Sequence, residues 1–232
     1  MDAVVMAAGE GTRLLPLTEH WPKPVLPIDG RPVLAVLLRE LAAADLDRVW
    51  LVTGYLADQV EGLAGDGSAF GIEVTFVHQP DALGSADAVR RALGGGGGVP
   101  ALVSAADTVY SRGDIARFAA EFAGSGAAGA VAVRTDPPPG PGRQAVRRSG
   151  ARIEALRDDD PDNPWSAAPL WGLGPAVAER LCLDNPPYEL EHAFQSAIGA
   201  GETVIAVEIG KTRDLTYPLD LVEENFPYLP RT

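Results

Sequence analysis

The sequence predicts an α/β fold, a doubly wound and mostly parallel sheet, from three observations. Short, continuous Val/Leu/Ala runs alternate with amphipathic stretches through the first half of the chain. Those runs lack the alternation of a strand with one wet face, so they read as strands covered by helices on both sides. Beyond residue 133 the rhythm breaks at proline-rich segments, which predicts a small β excursion before the pattern resumes.

Taken in order, residues 3–7 read as a buried strand, 32–44 as a helix, 49–53 as a strand and 57–63 as a short helix. The series continues with a strand at 72–78, a helix at 85–93, a strand at 101–105 and a helix at 115–122. Residues 94–98 are five glycines and read as a surface turn. "RTDPPPGPGRQ" (134–144) and "DDDPDNP" (158–164) can continue neither a helix nor a central strand, so hairpin-like strands are expected around 145–156. The chain returns through a strand at 168–173, a helix near 189–200, a strand at 203–208 and a closing helix near 218–226. Ligands of such sheets sit beyond the carboxyl ends of the strands, so the loops there carry the search for function.

Composition excludes several classes. The 232 residues are 46% hydrophobic and 22% charged, ordinary for a globular protein, and no apolar run approaches the roughly 18 residues of a membrane span. Met1-Asp2-Ala3 does not begin a secretory leader and the lone Cys182 has no internal disulfide partner, so a cytoplasmic protein is expected. Nineteen Lys and Arg stand against 32 Asp and Glu, a field that repels nucleic acid. A small polyphosphate is different, because a few local cations, backbone N–H groups and a divalent metal hold it whatever the net charge.

"AAGEGTR" (7–13) leaves the first strand and admits three readings. A dinucleotide fingerprint would need a third glycine where Leu14 stands, and a P-loop would need Gly-Lys-Ser/Thr, which the loop lacks. The third reading is an open glycine-rich loop around Gly9 and Gly11 whose N–H groups wrap a triphosphate, with Arg13 and Lys23 adding cationic donors.

"MAAGEGTRLLPLTEHWPKPVLPIDGRPVL" (6–34), with P-K-P placing Lys23 ten positions after Arg13, resembles the signature of the sugar-1-phosphate nucleotidylyltransferases. The resemblance implies a Rossmann-like nucleotidyltransferase domain over residues 1–232. Its nucleotide half would be 1–133 and its acceptor and metal half 134–232. It implies transfer of a nucleoside monophosphate from a nucleoside triphosphate to a sugar 1-phosphate, with Mg2+ as cofactor. Arg13 and Lys23 are then the catalytic cations, and Ala7, Ala8, Gly9, Gly11 and Thr12 the loop around the phosphates. A possible homo-oligomer is implied in the same way.

"QPDALGSADAV" (79–89) is similar to the family's base-recognition segment, with Gln79, Gly84 and Ser85 at the matching positions. A glutamine amide offers both a donor and an acceptor, which suits the O4 and N3–H edge of uracil or thymine. "LVSAADTVY" (102–110) carries Asp107 where the family binds magnesium, and "TRDLTYPLDL" (212–221) supplies Asp214 as the second ligand. On the acceptor side the chain departs from the family. The family's E-K-P lysine, which binds the sugar phosphate, falls on "DDDP" (158–161), and its A-G-[IV]-Y element on Ala168-Pro169-Leu170-Trp171. Another cation must then substitute, the acceptor must differ, or transfer is weak or lost. Arg143, Arg147, Arg148, Arg157 and Lys211 are the candidate cations, and Trp171 and Lys211 the candidate acceptor-binding residues. The alternatives are a catalytically lapsed nucleotide-binding regulator and a CTP-dependent transferase for a non-sugar phosphate such as phosphocholine.

Overall fold

The first apolar run forms β1 (Asp2–Ala7), in which Val4 and Val5 are buried in different apolar clusters, one on each face of the sheet. The structure, a computed structural model, describes residues 1–135, 145–158, 160, 162–181 and 186–226. After β1 come the short pair β2 (Pro27–Ile28) and β3 (Arg31–Pro32), α1 (Val33–Ala43), β4 (Arg48–Thr53), α2 (Ala57–Ala64), β5 (Glu73–His78) and α3 (Ser85–Gly94). The middle of the chain forms β6 (Ala101–Ala105), β7 (Thr108–Val109), α4 (Asp114–Ser125), β8 (Gly129–Arg134), β9 (Arg147–Ser149) and β10 (Arg152–Ala155). The remainder forms β11 (Ser166–Leu173), α5 (Pro175–Ala178), α6 (Leu190–Gly199), β12 (Val204–Glu208), β13 (Arg213–Asp214) and α7 (Pro218–Asn225).

Among the described residues nine strands make one sheet in the order β5-β4-β1-β6-β11-β8-β12-β10-β9. All run in one direction except β10 and β11, so the mostly parallel, doubly wound sheet predicted from the sequence is present. The reversal of β11 in the middle of the sheet left no mark in the sequence. Its run Ala168–Leu173 is as apolar as the parallel strands, because a central strand is buried on both faces whichever way it runs. The excursion after residue 145 is the β9–β10 hairpin at the sheet's edge.

Two cores follow from the two faces. Leu34, Leu37, Leu38 and Leu41 of α1 repeat at the helical spacing and pack with α2 and α4 against one face. Each such fully buried leucine contributes about 1.5–3 kcal/mol. On the other face α3, α5 and α6 cover Val4, Val52, Val103 and Val131. Residues 94–98 form the largely exposed surface turn read above, which ends α3: the Gly97 N–H donates to the Ala92 carbonyl at 3.0 Å, and Gly96 and Gly97 lie beside the Trp50 ring. No helix among the described residues is long and apolar enough to cross a membrane.

Candidate functional site

β1 and β6 lie side by side, Met6 opposite Ala105, and both deliver their carboxyl ends to one rim of the sheet. Past Ala7 the chain must turn sharply, and Gly11 takes the left-handed conformation (φ 66°) that side-chain-bearing residues avoid. The Gly11 carbonyl accepts from the Leu14 N–H at 2.9 Å and from the Thr18 hydroxyl at 3.0 Å, while Leu14 is buried with Leu26, Ile28, Val33 and Leu215. Tyr55 donates its hydroxyl to the Thr18 carbonyl and Gln59 its amide to the His20 carbonyl, which ties the same loop to α2. The N–H groups of residues 9–13 donate to no atom among the described residues. Backbone N–H groups left without a protein acceptor, on a loop already held at both ends, are suited to an anion.

Below that loop lies a cavity of about 310 Å³, walled by Ala7, Gly9, Thr12, Arg13, Lys23 and Asp107 among others. Arg13 is exposed at its mouth. The Lys23 side chain is 11% exposed and donates from Nζ to Asp107 Oδ2 at 2.5 Å, across 84 residues of sequence. Asp214 reaches the same place through a two-stranded ribbon in which Arg213 pairs with Val109 and Asp214 with Thr108, the residue after Asp107. The ribbon is fixed from behind: Arg213 holds both oxygens of Asp29, at 2.6 and 2.9 Å, and also bonds Glu224. The guanidinium in turn holds the Asp29 carboxyl below the usual carboxylate range. Asp220 accepts from the Thr216 and Tyr217 N–H groups and starts α7.

Burial pushes the Asp214 carboxyl up, the Lys23 charge opposes that shift, and the neighbouring Asp107 adds to it. Two carboxylates brought together at one rim are an oxygen-only donor pair of the kind a hard divalent cation takes. Arg134 closes β8 at the same rim, and its charge is felt at both Asp214 and Tyr110. Sequence reasoning missed it, although a lone arginine ending the apolar run Gly129–Val133 stands where a parallel sheet presents its functional groups.

The other expected residues divide. Ala8 packs in the second core and receives the Tyr55 N–H on its carbonyl, while Ala7, Gly9, Gly11 and Thr12 line the cavity. Gln79 lies two strands away on the same rim, at the end of β5, with its amide nitrogen already engaged: Nε2 donates to the Gly84 carbonyl at 3.2 Å and to Asp87 Oδ2 at 2.8 Å. The expected donor and acceptor pair is therefore reduced to the acceptor Oε1. The Ser85 hydroxyl is likewise taken, donating to Glu189 at 2.6 Å and accepting from the Leu190 N–H at 2.7 Å at the start of α6. Gly84 has φ 113°, and a Cβ there would lie 2.6–2.8 Å from the Tyr188 backbone. Replacing Gly84 by alanine is expected to destabilise the protein by about 2–4 kcal/mol, strain and overpacking together, read as a lower urea midpoint. An unchanged midpoint would show that this junction yields freely.

Trp171, expected on the acceptor side, is buried on β11 between Val103 and Val131 in the apolar cluster and is not among the residues that wall this cavity. Lys211 is exposed and also absent from the cavity wall; its carbonyl accepts from the Ser111 hydroxyl. Three of the candidate arginines are engaged around the β9–β10 hairpin. Arg147 pairs with Glu154 and Asp158, Arg148 with Glu208 while lying 3.6 Å over the Trp165 ring, and Arg157 with Glu191. Arg143 and Cys182 lie outside the described residues.

Residues 2–148 match the nucleotidyl transferase family. The chain is 43% identical over 94 residues to a mannose-1-phosphate guanylyltransferase of Mycobacterium tuberculosis, covering 40% of this chain and 26% of that protein. It is 30% identical over 235 residues to a glucose-1-phosphate thymidylyltransferase of Streptomyces antibioticus, covering 97% of this chain and 65% of that one. The chain thus spans about a quarter and just under two thirds of these two curated relatives. A Bacillus anthracis crystal structure solved in complex with sucrose shares the fold with a TM-score of 0.85 at 20% identity, covering 97% of this chain and 94% of that one.

Proposed function

Because the chain belongs to the nucleotidyl transferase family, we propose that it transfers a nucleoside monophosphate, UMP or dTMP, from the triphosphate to a sugar 1-phosphate with release of pyrophosphate. The observation that carries this reading is the cavity at the ends of β1 and β6. It is lined by Gly9, Gly11, Thr12 and Arg13 of the loop after β1 and by the Lys23–Asp107 pair, with Asp214 carried beside Asp107 by the β7–β13 ribbon. The N–H groups and Arg13 bind the phosphates of the nucleotide and offset the charge that gathers on the leaving pyrophosphate. Asp107 and Asp214 would hold a divalent cation, Mg2+, which when bound supplies further charge neutralisation. Lys23, on Asp107, is placed to follow the shift of charge along the same phosphates. An oxygen of the acceptor's phosphate attacks the α-phosphorus in line as the bond to the β-phosphate breaks, so the protein's contribution is alignment and electrostatics. Arg134 is the cation we assign to the acceptor's phosphate, in place of the absent E-K-P lysine, because its charge lies at the Asp214 rim.

The test is pyrophosphate release with magnesium, each of UTP, dTTP, CTP and GTP being offered with glucose 1-phosphate, N-acetylglucosamine 1-phosphate, mannose 1-phosphate and phosphocholine. Release with UTP or dTTP and a sugar phosphate supports the reading. Release only with CTP and phosphocholine replaces the acceptor, and silence with intact nucleotide binding makes the protein a nucleotide-binding regulator.

A further inference from the structure

We propose that Asp87 is a positioning residue that locks the Gln79 amide so that the nucleotide site selects bases carrying a ring N–H at the centre of their pairing edge. The inference rests on the reading of Gln79 as a base contact. Gln79 is 4% exposed, and its Nε2 end faces two groups that can only accept, the Gly84 carbonyl and the Asp87 carboxylate. The reverse amide orientation would set oxygen against oxygen twice, so the geometry itself decides which end is nitrogen. Asp87 is held by Arg91, whose Nε donates to the same Oδ2 at 2.7 Å, and its side chain is only 5% exposed. Both Gln79 amide protons are thereby consumed, and Oε1 has no partner among the described residues.

The position of Gln79 makes this matter. Its N–H donates to the Thr53 carbonyl, which keeps it in register at the end of β5. Gly54 separates it from the phosphate-side loop: a Cβ on Gly54 would meet the Gln79 carbonyl at 2.6 Å and the Ala8 Cβ at 2.9 Å. The rim is therefore continuous from Ala8 to Gln79. An acceptor fixed there receives N3–H of uracil or thymine or N1–H of guanine. It opposes the N3 lone pair of cytosine and the N1 lone pair of adenine. A site that presents one buried acceptor rejects a base that cannot donate to it by about ten- to a hundredfold. On this account Asp87 and Gln79 separate the N–H bases from cytosine and adenine.

The experiment measures Kd and kcat/KM for UTP, GTP and CTP in the wild type and in Asp87→Ala, Asp87→Asn, Arg91→Ala and Gln79→Ala. Asp87→Ala frees the amide to rotate, and the preference for the better of UTP and GTP over CTP is expected to narrow about tenfold, with kcat within about threefold of wild type. Asp87→Asn keeps an acceptor oxygen and should retain the preference. Arg91→Ala, at a partly exposed side chain, should narrow it less, and it carries the test if Asp87→Ala does not fold. Equal weakening of all three nucleotides in Asp87→Ala and Arg91→Ala, or a wild type that prefers CTP, overturns the proposal. A base preference unmoved in Gln79→Ala overturns instead the reading of Gln79 as a base contact.

Discussion

Alanine at Arg13 or at Asp107 lowers magnesium-dependent pyrophosphate release by about tenfold to a thousandfold, the range for removing one preorganised charge from a reacting phosphate. The two variants differ in what else they disturb. Arg13 is exposed at the cavity mouth and takes part in no hydrogen bond or ion pair among the described residues, so its loss should leave the melting temperature in place while turnover falls. Asp107 carries the Lys23 ammonium, and its removal strands a largely buried cation, so Asp107→Asn is the partner variant that separates lost chemistry from lost stability. Either alanine variant turning over at the wild-type rate with saturating substrates would remove the assignment of this cavity.

Lys23→Met is expected to act on both stability and rate. The lysine offsets the charge of Asp107 directly and opposes the upward shift of Asp214, so without it two carboxylates share one rim with only the Arg134 charge to offset them. The metal-free variant should lose about 1–3 kcal/mol at pH 7, since Asp107 is partly exposed and water shares the cost. Magnesium should restore part of the loss, because a bound cation supplies the missing positive charge, while turnover stays at least about tenfold down. Melting curves with and without magnesium decide it. If magnesium stabilises Lys23→Met no more than the wild type, the two aspartates are not the cation's site.

Much of the site was legible because local sequence dictates it. The loop from Ala7 to Lys23 is short-range structure: Gly11 where φ must be positive, Leu14 as its apolar anchor, Arg13 on the solvent side. Gln79 stands at a strand end, and its donor capacity is taken up because Asp87 in the first turn of α3 claims the nitrogen. Ser85, expected at the nucleotide, has its hydroxyl bonded at the start of α6, a helix more than a hundred residues further along, which no local pattern announces. For Trp171 the sequence could not show its neighbours Val103 and Val131, because an apolar strand does not announce which strands flank it.

By itself the sequence determined the order of the main strands and helices, the two-faced burial of the sheet and the glycine turn after β1, since each depends on hydrophobic period or backbone conformation within a few residues. Only the tertiary structure decided that β11 runs backwards between β6 and β8, that Asp214 is carried to Asp107 by the β7–β13 ribbon, and that Arg134 joins them. These depend on pairings between segments tens to more than a hundred residues apart, where the choice of partner is set by packing and charge in the assembled sheet and leaves no local pattern in the chain.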